Sequence, residues 1–100
     1  METELIWDEN KRQANLQKHC LDFADANEVL ESRYRLDIEV MRDNEFRIQS
    51  ISYALGFLAV LTVIHTQRDQ ATRIISFRPA STREREAYGV WLKNEYDDTQ

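Results

Sequence analysis

The run Phe57-Leu-Ala-Val-Leu-Thr-Val-Ile64 constrains this chain more than any other segment, because it carries apolar residues at both odd and even positions. A strand of that kind is buried on both faces, so it belongs in the middle of a sheet with cover on each side. The wider stretch Ile51 to Ile64 is interrupted by Ser52 and Gly56, and it falls short of the about 20 residues of a membrane-spanning helix. It reads as a buried hairpin with no membrane contact. The hairpin pairs Phe46–Tyr53 with Phe57–Thr66 across Ala54, Leu55 and Gly56, and Gly56 is expected to supply a positive φ to the turn.

Two further strands follow from the same period-two argument. Leu36, Ile38 and Val40 alternate with Asp37 and Glu39, and Met41 to Glu45 reads as a polar turn. In Thr72 to Pro79, strict alternation sends Ile74 and Ser76 to one side and Arg73, Ile75 and Phe77 to the other. Elsewhere the spacing is helical. After the short apolar stretch Leu5 to Trp7, Asp8 caps a helix predicted over Glu9 to about His19, and Asp22 caps a second from Phe23 to about Glu31. Ser81-Thr82-Arg83-Glu84 is a capping box, in which the Ser81 hydroxyl accepts from the Glu84 amide and the Glu84 carboxylate returns to the Ser81 backbone. The last helix therefore starts at Thr82, with Ala87, Tyr88, Trp91 and Leu92 as its apolar stripe and a frayed acidic end from Glu95 to Gln100. At 100 residues the chain is long enough for one domain, 1–100, of α+β class: a small antiparallel sheet of about four strands with two N-terminal helices and one C-terminal helix.

Net charge argues at first against a nucleic-acid partner, since 18 acidic residues face 13 basic ones for a formal −5. The charges are segregated, however. Residues 11–21 carry Lys11, Arg12 and Lys18 with no acid, and residues 65–93 hold six basic against three acidic side chains, a local +3 in each case. A phosphate responds to the local field rather than to the sum. A basic cleft on an acidic protein is therefore permitted, although both segments could equally be solvated surface.

The residue types restrict the chemistry. Cys20 is the single cysteine, which leaves no intramolecular disulfide, and no leader is apparent, so a cytoplasmic location is expected. His19 and Cys20 are adjacent and His65 is isolated, so no metal-ligand spacing occurs and no metal is expected. Two glycines cannot build a phosphate loop or a dinucleotide fingerprint, and no nucleotide cofactor is expected either. What remains is a set of arginines, Arg73, Arg78, Arg83 and Arg85, beside the proton carriers His19, His65, Glu84 and Tyr88. Cleavage of RNA through its own 2′-hydroxyl needs little more than strand positioning, proton transfer and cationic stabilisation of the phosphorane. Structural alternatives stand beside each role: a core position for Tyr88, the capping box for Glu84, a helix C-terminus for His19, and pairing with the acidic strand 36–40 for Arg73 and Arg78.

Several local patterns occur together. The run Ile6-Trp7-Asp8-x-x-Lys11-x-x-x-Asn15-x-x-Lys18-His19, then Phe23-x-x-Ala26, then Arg73-Ile74-Ile75-Ser76-x-Arg78-x-Ala80-Ser81-x-x-Glu84-Arg85-x-x-Tyr88 resembles the BrnT family of toxins from bacterial type II toxin–antitoxin modules. The resemblance implies a RelE-like fold and a ribonuclease that halts translation when free. It also implies a BrnA-like antitoxin with a ribbon-helix-helix part, through which alone the complex would bind DNA. On this reading Arg73, Arg78, Glu84, Tyr88 and His19 are the catalytic candidates, and Lys11, Lys18, Arg47, Ser76, Arg83 and Arg85 the RNA-binding ones. Three positions depart from the family pattern: Cys20 and Ser52 stand where glycine is usual, and Pro79 follows Arg78. Loss of glycine restricts the backbone, so a changed loop after His19 is expected. A noncatalytic antitoxin-binding module and a small metal-dependent nuclease are the competing readings.

Overall fold

The computed structural model describes residues 4–96. Its elements are β1 (Glu4–Trp7), α1 (Glu9–His19), a 3-10 turn (Phe23–Asp25), α2 (Asn27–Leu30), β2 (Leu36–Arg42), β3 (Glu45–Ala54), β4 (Ala59–Arg68), β5 (Ala71–Pro79) and α3 (Thr82–Tyr96). They form an α+β fold around a five-stranded sheet of order β1-β5-β4-β3-β2. The expected four antiparallel strands become five. The stretch at Leu5 to Trp7 is an edge strand, running parallel to β5 with Ile6 opposite Arg73. Four residues give too short an alternation to declare themselves a strand without the partner.

From Ala59 onward the doubly apolar run lies at the centre of the sheet, as its pattern demands, while Phe57 and Leu58, expected in the strand, lie in the turn before it. Leu61 and Val63 face the 3-10 turn and α2, where they join Phe23, Ala26, Val29, Ile74 and Phe77 in the main core. On the opposite face, Ile51 packs with Ala80 and Tyr88, backed by Leu36, Val60, Trp91 and Leu92. Because α3 covers only one end of that second face, the remainder is open, and the candidate site lies there. Ala87 is exposed rather than part of the stripe. The helix continues through Glu95 to Tyr96, whose hydroxyl donates to the Arg33 carbonyl at 3.1 Å; the rest of the acidic end, 97–100, lies outside the described residues.

The turns correct three expectations. Arg42 pairs with Glu45, so only Asp43 and Asn44 form the β2–β3 turn, with φ of 53° and 63°. Both central residues positive is the geometry of a tight hairpin turn that matches strand twist, and Asx residues tolerate it. In the β3–β4 turn the positive φ belongs to Leu58, not Gly56. A Cβ at Gly56 would meet the exposed Glu28 carboxylate at 3.0 Å, a contact that this flexible side chain can relieve by a small shift. Cys20 takes φ 60° and ψ 27° at the end of α1, its N–H donating to Leu16 O at 2.8 Å. The left-handed cap that glycine favours is thus formed by a cysteine, at a backbone cost of about 1 kcal/mol.

Candidate nucleic-acid interface

The open face is built by rows that cross the sheet. One row runs Leu36, Ile51, Thr62, Arg78; the next Ile38, Gln49, Ile64, Ser76; the third brings Thr66 beside Arg73, with Val40 and Arg47 paired on the neighbouring strands. The decisive irregularity is in β5. Ile64 pairs with Ser76 but His65 pairs with Ile74, which leaves Ile75 as the extra residue of a β-bulge. In a regular strand Arg73 and Arg78, five positions apart, would point to opposite faces. The bulge puts Arg73, Ser76 and Arg78 on one face, and Ile74 and Phe77 in the core behind them. This overturns the alternation predicted for 72–79, and no feature of the sequence alone marks where a strand gains a residue.

Arg78 and Glu84 make a bidentate pair. Nη1 donates to Oε1 and Nη2 to Oε2, both at 2.8 Å. The same carboxylate accepts from the Ser81 N–H at 2.8 Å, and the Glu84 N–H donates to Ser81 Oγ at 3.1 Å, so the capping box forms as expected. Gln49 completes the cluster, its Nε2 donating to Glu84 Oε2 at 2.7 Å and approaching Thr62 Oγ1 at 3.2 Å. With these donors, Arg78 first among them, the Glu84 carboxyl is pulled down to about 2. It stays ionised and is a weak base, suited to holding the Arg78 fork in one orientation. Gln49 was not singled out by sequence reasoning. Its signal, a polar residue inside an otherwise half-apolar strand, is too common to be informative.

Helix α1 lies beside β5, and Asn15 docks it. The Asn15 side chain donates to Phe77 O at 2.7 Å and Leu21 O at 3.0 Å, and accepts from Phe77 N–H at 3.2 Å. It satisfies the β5 edge beyond the point where β1 ends, as a strand residue would. A groove of about 240 Å³ then runs between Lys11, Lys18 and His19 on α1 and Ile75 and Ser76 on the bulge. It continues through Ile75 and Ser76 into a cleft of about 380 Å³ beside Arg47 and Arg78. The His19 imidazole is shifted below its ordinary pKa, chiefly by partial desolvation and then by the charges of Lys18 and Arg78. It is therefore neutral at physiological pH, with an unprotonated ring nitrogen able to take a proton.

The remaining candidates fall elsewhere. Arg12, counted in the first basic segment, is paired to Glu9 at 2.8 Å and Asp22 at 2.9 Å, which reduces that segment to Lys11, Lys18 and His19. Arg47 is on the open face but bound to Glu45 at 2.7 Å. Among the described residues no carboxylate lies within ion-pair distance of Arg73, and the pairing of Arg73 or Arg78 with strand 36–40 does not occur. Arg83 is exposed on α3, whereas Arg85 turns back to Ala80 O at 2.8 Å and Thr82 Oγ1 at 3.2 Å. Tyr88 is only 4% exposed. Its hydroxyl donates to Tyr34 O at 2.8 Å and accepts from the Tyr53 N–H at 3.2 Å, which places it in the packing of α3 and outside the groove.

A second polar cluster occupies the other face. Ser50 Oγ donates to Asp37 Oδ1 at 2.6 Å and meets His65 Nε2 at 2.8 Å. Ser50 has a single proton, so His65 Nε2 carries its own and donates it. The order is carboxylate, hydroxyl, imidazole, not the carboxylate, imidazole, hydroxyl of an activated nucleophile. Ser50 is fully buried, and burial lowers the His65 pKa against the opposing pull of Asp37. Serine, histidine and aspartate are here cross-strand ties between β2, β3 and β4.

Among the described residues no helix is long and apolar enough to cross a membrane, and no three His, Cys, Asp or Glu side chains are grouped so as to hold a metal. No curated protein sequence matches the chain. Residues 7–84 match the family model described as "Ribonuclease toxin, BrnT, of type II toxin-antitoxin system". That match covers strands β2 to β5, the helix bearing Lys11, Lys18 and His19, the bulge, and the Arg78–Glu84 pair. The chain belongs to the BrnT family of ribonuclease toxins of type II toxin–antitoxin systems.

Proposed function

We propose that the chain is an endoribonuclease that needs no metal and cuts RNA by attack of the substrate's own 2′-hydroxyl, thereby inhibiting translation in the cytoplasm. The observation that carries this reading is the bulge at Ile75, which sets Arg73, Ser76 and Arg78 on one open face, joined by a groove to Lys11, Lys18 and His19. Lys11 and Lys18 track the RNA backbone. Arg73 and Arg78 bind the scissile phosphate, and Ser76 and Arg47 line its approach. Neutral His19 takes the proton of the 2′-hydroxyl, whose oxygen then bonds to phosphorus to give a phosphorane stabilised by the arginines. Collapse releases the 5′ oxygen, which takes its proton from solvent, and leaves a 2′,3′-cyclic phosphate. Glu84 and Gln49 hold the Arg78 fork in place and exchange no proton; Tyr88, Arg83 and Arg85 are left outside the chemistry.

The partner in this reading is a BrnA-like ribbon-helix-helix antitoxin, and DNA is bound only through it. Like-charged side chains crowd the groove, so an acidic antitoxin segment laid over Lys11, Lys18 and the Arg73–Arg85 region would neutralise it. Expression of the wild-type chain without antitoxin should arrest growth, and Arg78→Ala should relieve the arrest while remaining folded. An equally toxic, folded Arg78→Ala chain would remove Arg78 from the site. Hydrogen exchange on the complex should show protection in α1 and β5; protection confined to residues 22–46 would overturn this account of neutralisation.

A further inference from the structure

We infer that the cleft beside Arg78 is a nucleobase subsite that takes guanine, with Arg42 as the residue that reads it. Val40, Ile64 and Ile75 give it an aliphatic floor, and Arg42, Arg47 and Ser76 stand around them. Its volume of about 380 Å³ falls within the about 300–1,000 Å³ of small-ligand clefts. Such an apolar floor has no use for a phosphate and suits the flat face of a base. The cleft shares Ile75 and Ser76 with the α1 groove, so one strand of RNA can lie in both, its phosphates toward Lys11, Lys18 and Arg78 and one base turned onto the aliphatic floor.

The choice of base follows from the donors. Arg47 is committed to Glu45, and the paired Nη1 and Nη2 donors of Arg78 are taken by Glu84, which leaves it no free fork for a base edge though it keeps other N–H groups for a phosphate. Arg42, exposed at the end of β2 and opposite Glu45, has no carboxylate within ion-pair distance among the described residues. Its guanidinium offers paired donors and no acceptor. Guanine presents two adjacent acceptors, O6 and N7, to such a fork, whereas adenine replaces O6 with an amino donor that faces the arginine donor to donor. Pyrimidines lack the second ring and cover less of the floor.

The proposal rests on the ribonuclease reading for its use in substrate selection, but binding can be tested apart from cleavage. Methyl-labelled protein is titrated with guanosine 5′-monophosphate, adenosine 5′-monophosphate, cytidine 5′-monophosphate and ribose 5-phosphate. Guanosine monophosphate should move the Ile64 and Ile75 methyl signals and bind about tenfold or more tighter than the others, the scale of one bidentate base contact. Arg42→Ala, and also Arg42→Lys, which keeps the charge but loses the fork, should erase that preference and leave ribose 5-phosphate binding unchanged. Equal binding of all four ligands, or an undiminished preference in both variants, overturns the proposal. With RNA, cuts by the wild type should be enriched for guanine at one fixed position, and Arg42→Ala should lose the enrichment while still cutting. Guanosine monophosphate seated in the cleft of a protein that leaves RNA intact would uphold the subsite and remove the ribonuclease reading. Cuts with no base preference would do the reverse.

Discussion

Gln49 and Ser50 are neighbours in β3, and each anchors a hydrogen-bonded polar cluster, yet on opposite faces of one sheet. Gln49 reaches Glu84 and through it the Arg78 fork on the open face, whereas the buried Ser50 joins His65 to the exposed, Arg35-paired Asp37. The Ser50 cluster has the residue types of a hydrolase and the geometry of a structural tie. The open cluster has an ordinary capping box, an arginine and a glutamine, and it opens onto a basic groove. Residue type alone would choose the Ser50 face; hydrogen-bond order and local charge favour the other.

Substitutions on the two faces should therefore separate catalysis from stability. The largest expected effect is that of Arg78→Ala, which on the proposed mechanism removes a donor to the phosphorane and should lower RNA cleavage by about 100-fold or more, with the melting temperature little changed. Cleavage of a fluorescent RNA alongside a thermal melt measures both. The neighbouring pair gives the sharpest contrast. Gln49→Ala should lower cleavage by about tenfold through a loosened Arg78 fork while costing little stability. Ser50→Ala should leave cleavage per folded molecule unchanged but cost about 1–3 kcal/mol, because the buried His65 loses its hydrogen-bond partner while Asp37 keeps Arg35. Reversed outcomes in that pair would exchange the roles of the two faces.

A subtler contrast lies between the histidines. The His19 pKa is depressed below the ordinary 6.5 by desolvation and by Lys18 and Arg78. On the proposed mechanism the unprotonated ring is the active form, so the cleavage rate should rise with pH through a midpoint below 6.5 and level off above it. His19→Gln should flatten that limb, and His65→Gln should not; a limb centred above the ordinary value would contradict His19 as the base. The smallest expected effect is at Cys20. Glycine adopts the φ of 60° without the Cβ penalty, so Cys20→Gly should raise stability by about 1 kcal/mol in denaturant melts and leave cleavage unaltered.

Much of the fold was legible because period and composition act locally. The doubly apolar run from Phe57 to Ile64 required a central covered strand, and Ser81 with Glu84 required a helix start. The structure has both. What escaped depends on a partner or on one extra residue. β1 becomes a strand only beside β5, and the bulge at Ile75 reverses the facing of Ser76 relative to Arg73 without any change in residue type. Charge segregation was similarly half-legible: Lys11 and Lys18 do line the groove, but Arg12 and Arg85 are tied up by partners that sequence spacing does not single out. Gln49 entered the candidate site only through its distance to a residue 35 positions away.

The central claim is that the open basic face cuts RNA with the substrate's own hydroxyl. Its most direct test is to incubate the purified, antitoxin-free chain with RNA in EDTA and to determine the chemistry of the new ends. The account predicts cleavage that EDTA does not diminish, leaving 2′,3′-cyclic phosphate and 5′-hydroxyl termini. Intact RNA at high protein concentration, cleavage abolished by EDTA, or 5′-phosphate termini would contradict it.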